Sequence, residues 1–151
     1  MKKNKLKKVI IIIILLAVIS YVAYKRIQKA MTGPEVIVGN FYEWYINYDG
    51  NALMSGAYKE SGYLTNDLIK KIDESLEESK GMVKKDPFTC SQSLPDDFSV
   101  SNPIIDKSNA GVTLAEYFEN DLSSVKIALK SKWGGWRIDS VICPQTEEVE
   151  E

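Results

Sequence analysis

Few groups in this 151-residue chain can do chemistry. There are two cysteines, Cys90 and Cys143, and no histidine. Without histidine, neither a histidine-based triad nor a histidine-ligated metal site can form. No glycine-rich phosphate loop and no calcium-loop spacing appears. Carboxylate chemistry remains, with Glu43 and Asp139 as the candidate residues, yet each also reads as a plain surface charge. Asp96 and Asp97, with Asp86, could hold a cation, but a flexible acidic loop is the commoner explanation. The expectation is no catalytic residue, no metal, no cofactor and no enzyme. For the cysteines, the compartment decides between free thiols and a disulfide.

The N-terminus addresses the compartment. Five lysines precede an apolar run at residues 9–24, followed by Lys25, Arg26 and Lys29. As a helix, sixteen residues span roughly 24 Å, and flanking lysines that snorkel extend that reach. The run reads as a single-pass anchor; a signal peptide cleaved near Val18-Ile19-Ser20 is the competing reading. In both, the lysine-rich end stays in the cytoplasm and the remainder is exported. Eight of the 19 basic residues lie within residues 1–30, which hold no acid, leaving 11 basic against 21 acidic residues beyond. So acidic a domain does not seek phosphate backbones, and nucleic acid is excluded as a partner. The chain then divides into a cytoplasmic stub and anchor at residues 1–30, one exported domain at residues 34–144, and an acidic disordered tail at residues 145–151. The predicted location is the cytoplasmic (inner) membrane, with the C-terminal domain in the periplasm. Export favours a Cys90–Cys143 disulfide over two buried thiols. Closing a loop of about fifty residues, it is worth on the order of 4 kcal/mol in the chain-entropy model.

Helices are expected first and strands afterwards, an α+β domain. Gly33-Pro34 opens a helix with a stripe of Ile37, Phe41, Trp44 or Tyr45, and Tyr48, ended by Asp49-Gly50-Asn51. A second helix follows Leu64, capped by Thr65, with Asp67 at its positive end and Leu68, Ile69, Ile72 and Leu76 inward. Gly81 ends it. Residues 84–98 show no period. Beyond them the period is two: residues 98–106 (broken at Asn102-Pro103), 111–118, 123–133 and 136–143, giving an antiparallel sheet of about four strands.

The final hairpin is predicted to turn at Gly134-Gly135, a type I′ pair. That register sets Trp133 opposite Trp136, Lys132 opposite Arg137 and Lys130 opposite Asp139. One face then gathers Val125, Ile127, Leu129, Trp133, Trp136, Ile138 and Ile142 as core. The other, mostly wet, carries Lys126, Lys130, Lys132 and Arg137, with Val141 and Cys143 at its end. A Cys90–Cys143 bridge would pin the long loop there, with Phe88 plugging the adjoining gap and Lys84-Lys85 shielded.

Phe41-Tyr42-x-Trp44-Tyr45, Tyr63-Leu64-Thr65, Asp86-Pro87-Phe88-x-Cys90-x-Gln92, Gly135-Trp136-x-Ile138 and Cys143 occur in that order. From about Val36 to Cys143 the chain resembles a bacterial envelope family known as domain of unknown function number 3828, itself similar to NTF2-like and cystatin-like proteins. The resemblance implies helices packed into the concave side of a curved antiparallel sheet, an NTF2-like cone. It also implies an envelope location, and it assigns no activity. Many relatives are lipoproteins, whereas no cysteine follows the apolar run here. The leading functional expectation is a membrane-anchored, non-catalytic binding or accessory module, with Tyr42, Tyr45, Trp133 and Trp136 as candidate pocket residues. Its partner would be an envelope protein or a small apolar ligand. An immunity-type protein neutralising a periplasmic toxin is the alternative, and a hydrolase using a carboxylate pair comes last.

Overall fold

The structure is a computed structural model, and it describes residues 14–21, 33–132 and 135–144. The chain forms two compact units, Met1–Thr32 and Gly33–Glu151. In the first unit, residues 14–21 are helical (α1). Among the described residues no helix is long and apolar enough to cross a membrane. Much of the apolar run at residues 9–24, and the acidic tail, lie outside the described residues.

The second unit is α+β. It contains α2 (Pro34–Ile46), a 3-10 turn (Ala57–Glu60), α3 (Asn66–Glu78), and strands β1 (Asp97–Val100), β2 (Ile104–Asp106), β3 (Asn109–Phe118), β4 (Asp121–Lys132) and β5 (Gly135–Ile142). Pro34 begins α2 at a position where a missing N–H costs nothing. α3 opens as its sequence suggests, with the Thr65 hydroxyl accepting the Leu68 amide at 3.2 Å. This satisfies one of the first-turn donors that the helix leaves unpaired.

The sheet is antiparallel, in the order β1-β3-β4-β5, with β2 also on β3. β1 pairs with residues 114–117 of β3, and β2 pairs with residues 109–111. Four strands were expected and five are present, because the break at Asn102-Pro103 divides one edge segment into two short strands. Proline cannot donate to the ladder, so the pairing lapses there and resumes.

The last hairpin corrects its expected register. Lys132 pairs with Gly135, Ser131 with Trp136, Lys130 with Arg137 and Leu129 with Ile138. Lys132, expected opposite Arg137, therefore faces Gly135, and Lys130 faces Arg137 instead of Asp139. A bulge follows, after which Ala128 pairs with Ser140, Ile127 with Val141 and Lys126 with Ile142. Asp139 is the extra residue. A one-residue insertion exchanges the two faces of a strand beyond it. Val141 thus packs against the core and Ile142 is 54% exposed, the reverse of the expected assignment. Asp139 is held from both sides, accepting a hydrogen bond from Thr65 Oγ1 at 3.0 Å and an ion pair from Lys130 at 2.8 Å.

The inner sheet face carries Val112, Leu114, Val125, Ile127, Leu129 and Ile138, all buried. α2 lies across it, touching β1, β3 and β5, and buries Val38, Phe41, Tyr42 and Tyr45. α3 flanks β5 and buries Leu68 and Ile72. Between the helices, Leu64 forms a parallel bridge to Ile138, which closes that edge of β5.

Candidate functional site

The segment around Asp86 is aperiodic in sequence, yet side chains and backbone tie it together and α2 reaches it with two tyrosine hydroxyls. Asp86 Oδ1 accepts the amides of Phe88 (2.8 Å) and Thr89 (3.2 Å), so this carboxylate caps a single turn begun by Pro87. The backbone closes the same ring: the Asp86 amide donates to the Ser91 carbonyl at 2.7 Å, and the Cys90 amide to the Asp86 carbonyl at 2.8 Å. α2 then clamps the turn. Tyr45 donates its hydroxyl to Asp86 Oδ2, and Tyr42 donates to the Phe88 carbonyl, each at 2.6 Å. Cys90 takes a left-handed conformation (φ 57) and is disulfide-bonded to Cys143, with a Cα–Cα distance of 5.4 Å. The expected bridge is therefore present. Cys143 lies two residues beyond Val141, and the bulge places Val141 on the core side of the sheet instead of the wet side.

Phe88 is more than a plug. It is fully buried, and its ring meets those of Tyr45, Phe41 and Tyr58 at 4.9, 5.1 and 5.8 Å between centroids. Tyr58, from the 3-10 turn, is also fully buried, and its hydroxyl donates to Asp73 on α3. Nothing local in the sequence marks Tyr58 as core, since its partners come from two other segments.

These phenols are proton donors held in their neutral form. Burial, and after it the negative charges of Glu116 and Asp86, push the Tyr42 hydroxyl far above its ordinary value. Burial and then Asp86 do the same to Tyr45; for Tyr58, burial acts first and its hydrogen bond to Asp73 second. Glu116 completes the set. It lies on the inner face of β3, fully buried, with both carboxylate oxygens lacking a hydrogen-bond partner among the described residues. Burial first, and Asp86 second, raise its pKa to about 8. The signal for Glu116 was in the sequence. In the alternation Ala110, Val112, Leu114, Glu116, period two directs it inward.

The other candidate residues lie apart from this cluster. Glu43 sits exposed on α2 and accepts a hydrogen bond from Asn47 Nδ2 at 3.3 Å. Asp139 is committed to Lys130 and Thr65; burial opposes its charge, but those two hydrogen bonds prevail and hold it below the usual carboxylate range. Asp97 accepts the Phe98 amide, and Asp96 is exposed. Among the described residues, no group of three or more acidic or cysteine side chains could hold a metal ion. Of the candidate pocket residues, Tyr42 and Tyr45 are core with committed hydroxyls, Trp136 is half-buried at the rim of the core, and Trp133 lies outside the described residues.

Surface depressions lie beside the clamped turn. One of about 420 Å³ runs from Asn51, Leu53 and Met54 to Val83, Lys84 and Lys85. Another, of about 470 Å³, lies between Met54, Lys59, Asp73 and Lys80. A small one of about 90 Å³ is lined by Tyr45, Asp86 and Gln92.

No family model matches the chain, and no curated protein sequence matches it. Solved structures do. A chain from the crystal structure of the type VI native effector–immunity complex Tae3–Tai3 of Ralstonia pickettii superposes with a TM-score of 0.65 at 17% identity, covering 78% of this chain and 100% of that one. A chain from the selenomethionine form of the same complex gives 0.60 at 18% identity, covering 77% and 100%. At such identity the likeness establishes a shared fold.

Proposed function

We propose that this chain is an immunity-type protein: a non-catalytic binding domain, anchored in the cytoplasmic membrane and facing the periplasm, that captures a toxin arriving there. The observation that carries this reading is the fold likeness to chains of a type VI effector–immunity complex, over the full length of those chains. The chemistry agrees with it. The phenols and carboxylates gathered around residues 86–90 are spent on holding a loop, and Cys90 and Cys143 are spent on each other. A disulfide suits the periplasmic side. The lysine-rich start followed by an apolar run supports the anchor, and the D-P-F-x-C-x-Q resemblance supports the envelope. A binding site for a small apolar ligand has less support, because Tyr42 and Tyr45 are packed into the core.

The test is protection. Bacteria that direct to the periplasm a candidate toxin taken from the genes neighbouring this one should survive when the full chain is co-expressed, and the two proteins should co-purify in detergent. Cell death at undiminished rate despite membrane-located protein would overturn the reading.

A further inference from the structure

The two larger depressions adjoin at Leu53 and Met54, forming a trough on either side of the turn at residues 50–56. Its floor is apolar and firm: Leu53 is 4% exposed, and Asp86, at one end, is fixed by Tyr45. Its walls offer apolar side chains to water. Met54 is 58% and Val83 37% exposed, and Met82, beside Val83, is 77% exposed. Methionine is the side chain that best adapts to another protein's surface.

Charge tells what fits. Lys59, Lys80, Lys84 and Lys85 surround the trough. The acids there are mostly occupied: Asp73 holds Lys59 at 2.8 Å and accepts from Tyr58, while Asp86 accepts from Tyr45 and two amides. Glu77 remains. Among the described residues, Lys80, Lys84 and Lys85 form no ion pair. Three cations without an ion pair among the described residues thus flank an apolar hollow on a domain, residues 34–144, whose acids outnumber its bases by six. The domain as a whole repels an acidic partner, and this is a place where it attracts one. Such a contrast orients an encounter and sets its register.

We propose that this trough is the docking surface for a protein partner, receiving an acidic segment with apolar side chains between its carboxylates. The inference deepens the immunity reading and rests on it for the occupant being a protein. A pre-formed floor lowers the ordering cost of binding, so a short segment suffices.

The test uses the full chain in neutral detergent and a short fluorescein-labelled peptide of alternating Glu and Leu. Fluorescence anisotropy should show binding that weakens with added salt. The variant K80E/K84E/K85E should lose about tenfold or more in affinity. M82S/V83S, which leaves the charges in place, should weaken binding severalfold. K126E/K132E, on the outer sheet face, should bind as the wild type does, and a peptide with Lys for Glu should not bind. Equal binding of both peptides, wild-type affinity in the K80E/K84E/K85E protein, or loss in K126E/K132E would overturn the proposal. So would binding to phosphatidylglycerol vesicles without binding to the peptide, which would make the trough a lipid-facing patch. Protection from the toxin together with no peptide binding would sink this surface and leave the immunity reading standing. Peptide binding without protection would do the opposite.

Discussion

The connection from α3 to β1 contains two neighbouring stretches in opposite physical states. Residues 82–85 face water, with Met82 and Val83 exposed, and Lys80, Lys84 and Lys85 form no ion pair among the described residues. Residues 86–90 turn inward: Phe88 and Thr89 are fully buried and Cys90 nearly so, whereas Gln92, Ser93 and Leu94 beyond them are exposed before Pro95 is buried again. Neither stretch is helix or strand. The difference lies in where the backbone hydrogen bonds go. In the second stretch, Asp86, Tyr42 and Ser91 supply partners for backbone groups of a single turn, so its main chain can enter the core, and the buried Thr89 hydroxyl is the group left without a partner among the described residues of the turn. Irregular backbone can be core when side chains take over the role of a ladder, and its open neighbour is then free to serve as a surface. The same contrast corrects the expectation that Lys84 and Lys85 are shielded: both are exposed in the disulfide-bonded protein.

The largest effect should come from Phe88. Phe88→Ala empties the centre of a four-ring cluster and should cost roughly 3–5 kcal/mol in chemical denaturation. Met82→Ala, six residues away, should change stability by less than about 0.5 kcal/mol. Similar values for the two would erase the contrast.

Removing the disulfide comes next. The bridge spans 53 residues of sequence, and the paired change C90S/C143S should cost roughly 2–4 kcal/mol. Trypsin should cut after Lys84 or Lys85 with or without reductant. Chymotrypsin should cut after Phe88 only when the bridge is reduced. Cleavage after Phe88 in the oxidised protein would show that the bridge does not hold the inner turn closed, and resistance in the reduced protein would show that packing and hydrogen bonds hold it without the bridge.

How much of this could be read from the sequence follows from the range of each interaction. Thr65 as a cap and Pro34 as a helix start are decided within one turn of chain, and both were legible. The disulfide was expected from an even cysteine count and an expected export, and Cys90 and Cys143 are bonded. The bulge at Asp139 was not legible. It is a single extra residue held by Thr65 from another element, and no glycine marks it. Trp136 was expected in the core and is half-buried, while Ile138 two residues on is fully buried; the register error blurred that gradient. Tyr42 and Tyr45 were singled out for their type, but as pocket lining. Their role as donors to residues 86–88 depends on contacts 41 to 46 residues away, which no local pattern reports.

Glu116 gives a pH test of the inner region. Its pKa is near 8 in the folded protein and 4.5 when unperturbed, so the unfolded chain releases the proton first as pH rises. The stability contributed by a neutral Glu116 is fully present below about pH 4.5 and is lost as pH rises through 8. Asp73 and Asp139 are shifted downward, so their contribution is lost only as pH falls below their ordinary 3.8, outside that interval. Stability should therefore fall by about 2–3 kcal/mol from about pH 5 to about pH 7.5, at about 1.4 kcal/mol per unit of pKa shift. Glu116→Gln should flatten the profile. A wild-type profile already flat in this interval would mean that Glu116 is ionised in the folded state and has found a partner.

The smallest effect separates the clamp from the packing. Tyr45→Phe keeps the ring against Phe41 and Phe88 and removes only the hydroxyl that donates to Asp86 Oδ2. Asp86 keeps its two amide donors, so the carboxylate is weakened in its support without being stranded. A single hydrogen bond to a charged acceptor is worth roughly 1.5–3 kcal/mol, and because Tyr45 borders the small depression at Asp86, water can replace part of it. The expected loss is about 1 kcal/mol, accompanied by faster amide exchange at Phe88 and Thr89. Tyr48→Phe, on the half-buried flank of the same helix, should leave both quantities unchanged. If Tyr45→Phe lowered stability without speeding exchange at those two amides, Asp86 would hold the turn unaided and α2 would contribute packing alone.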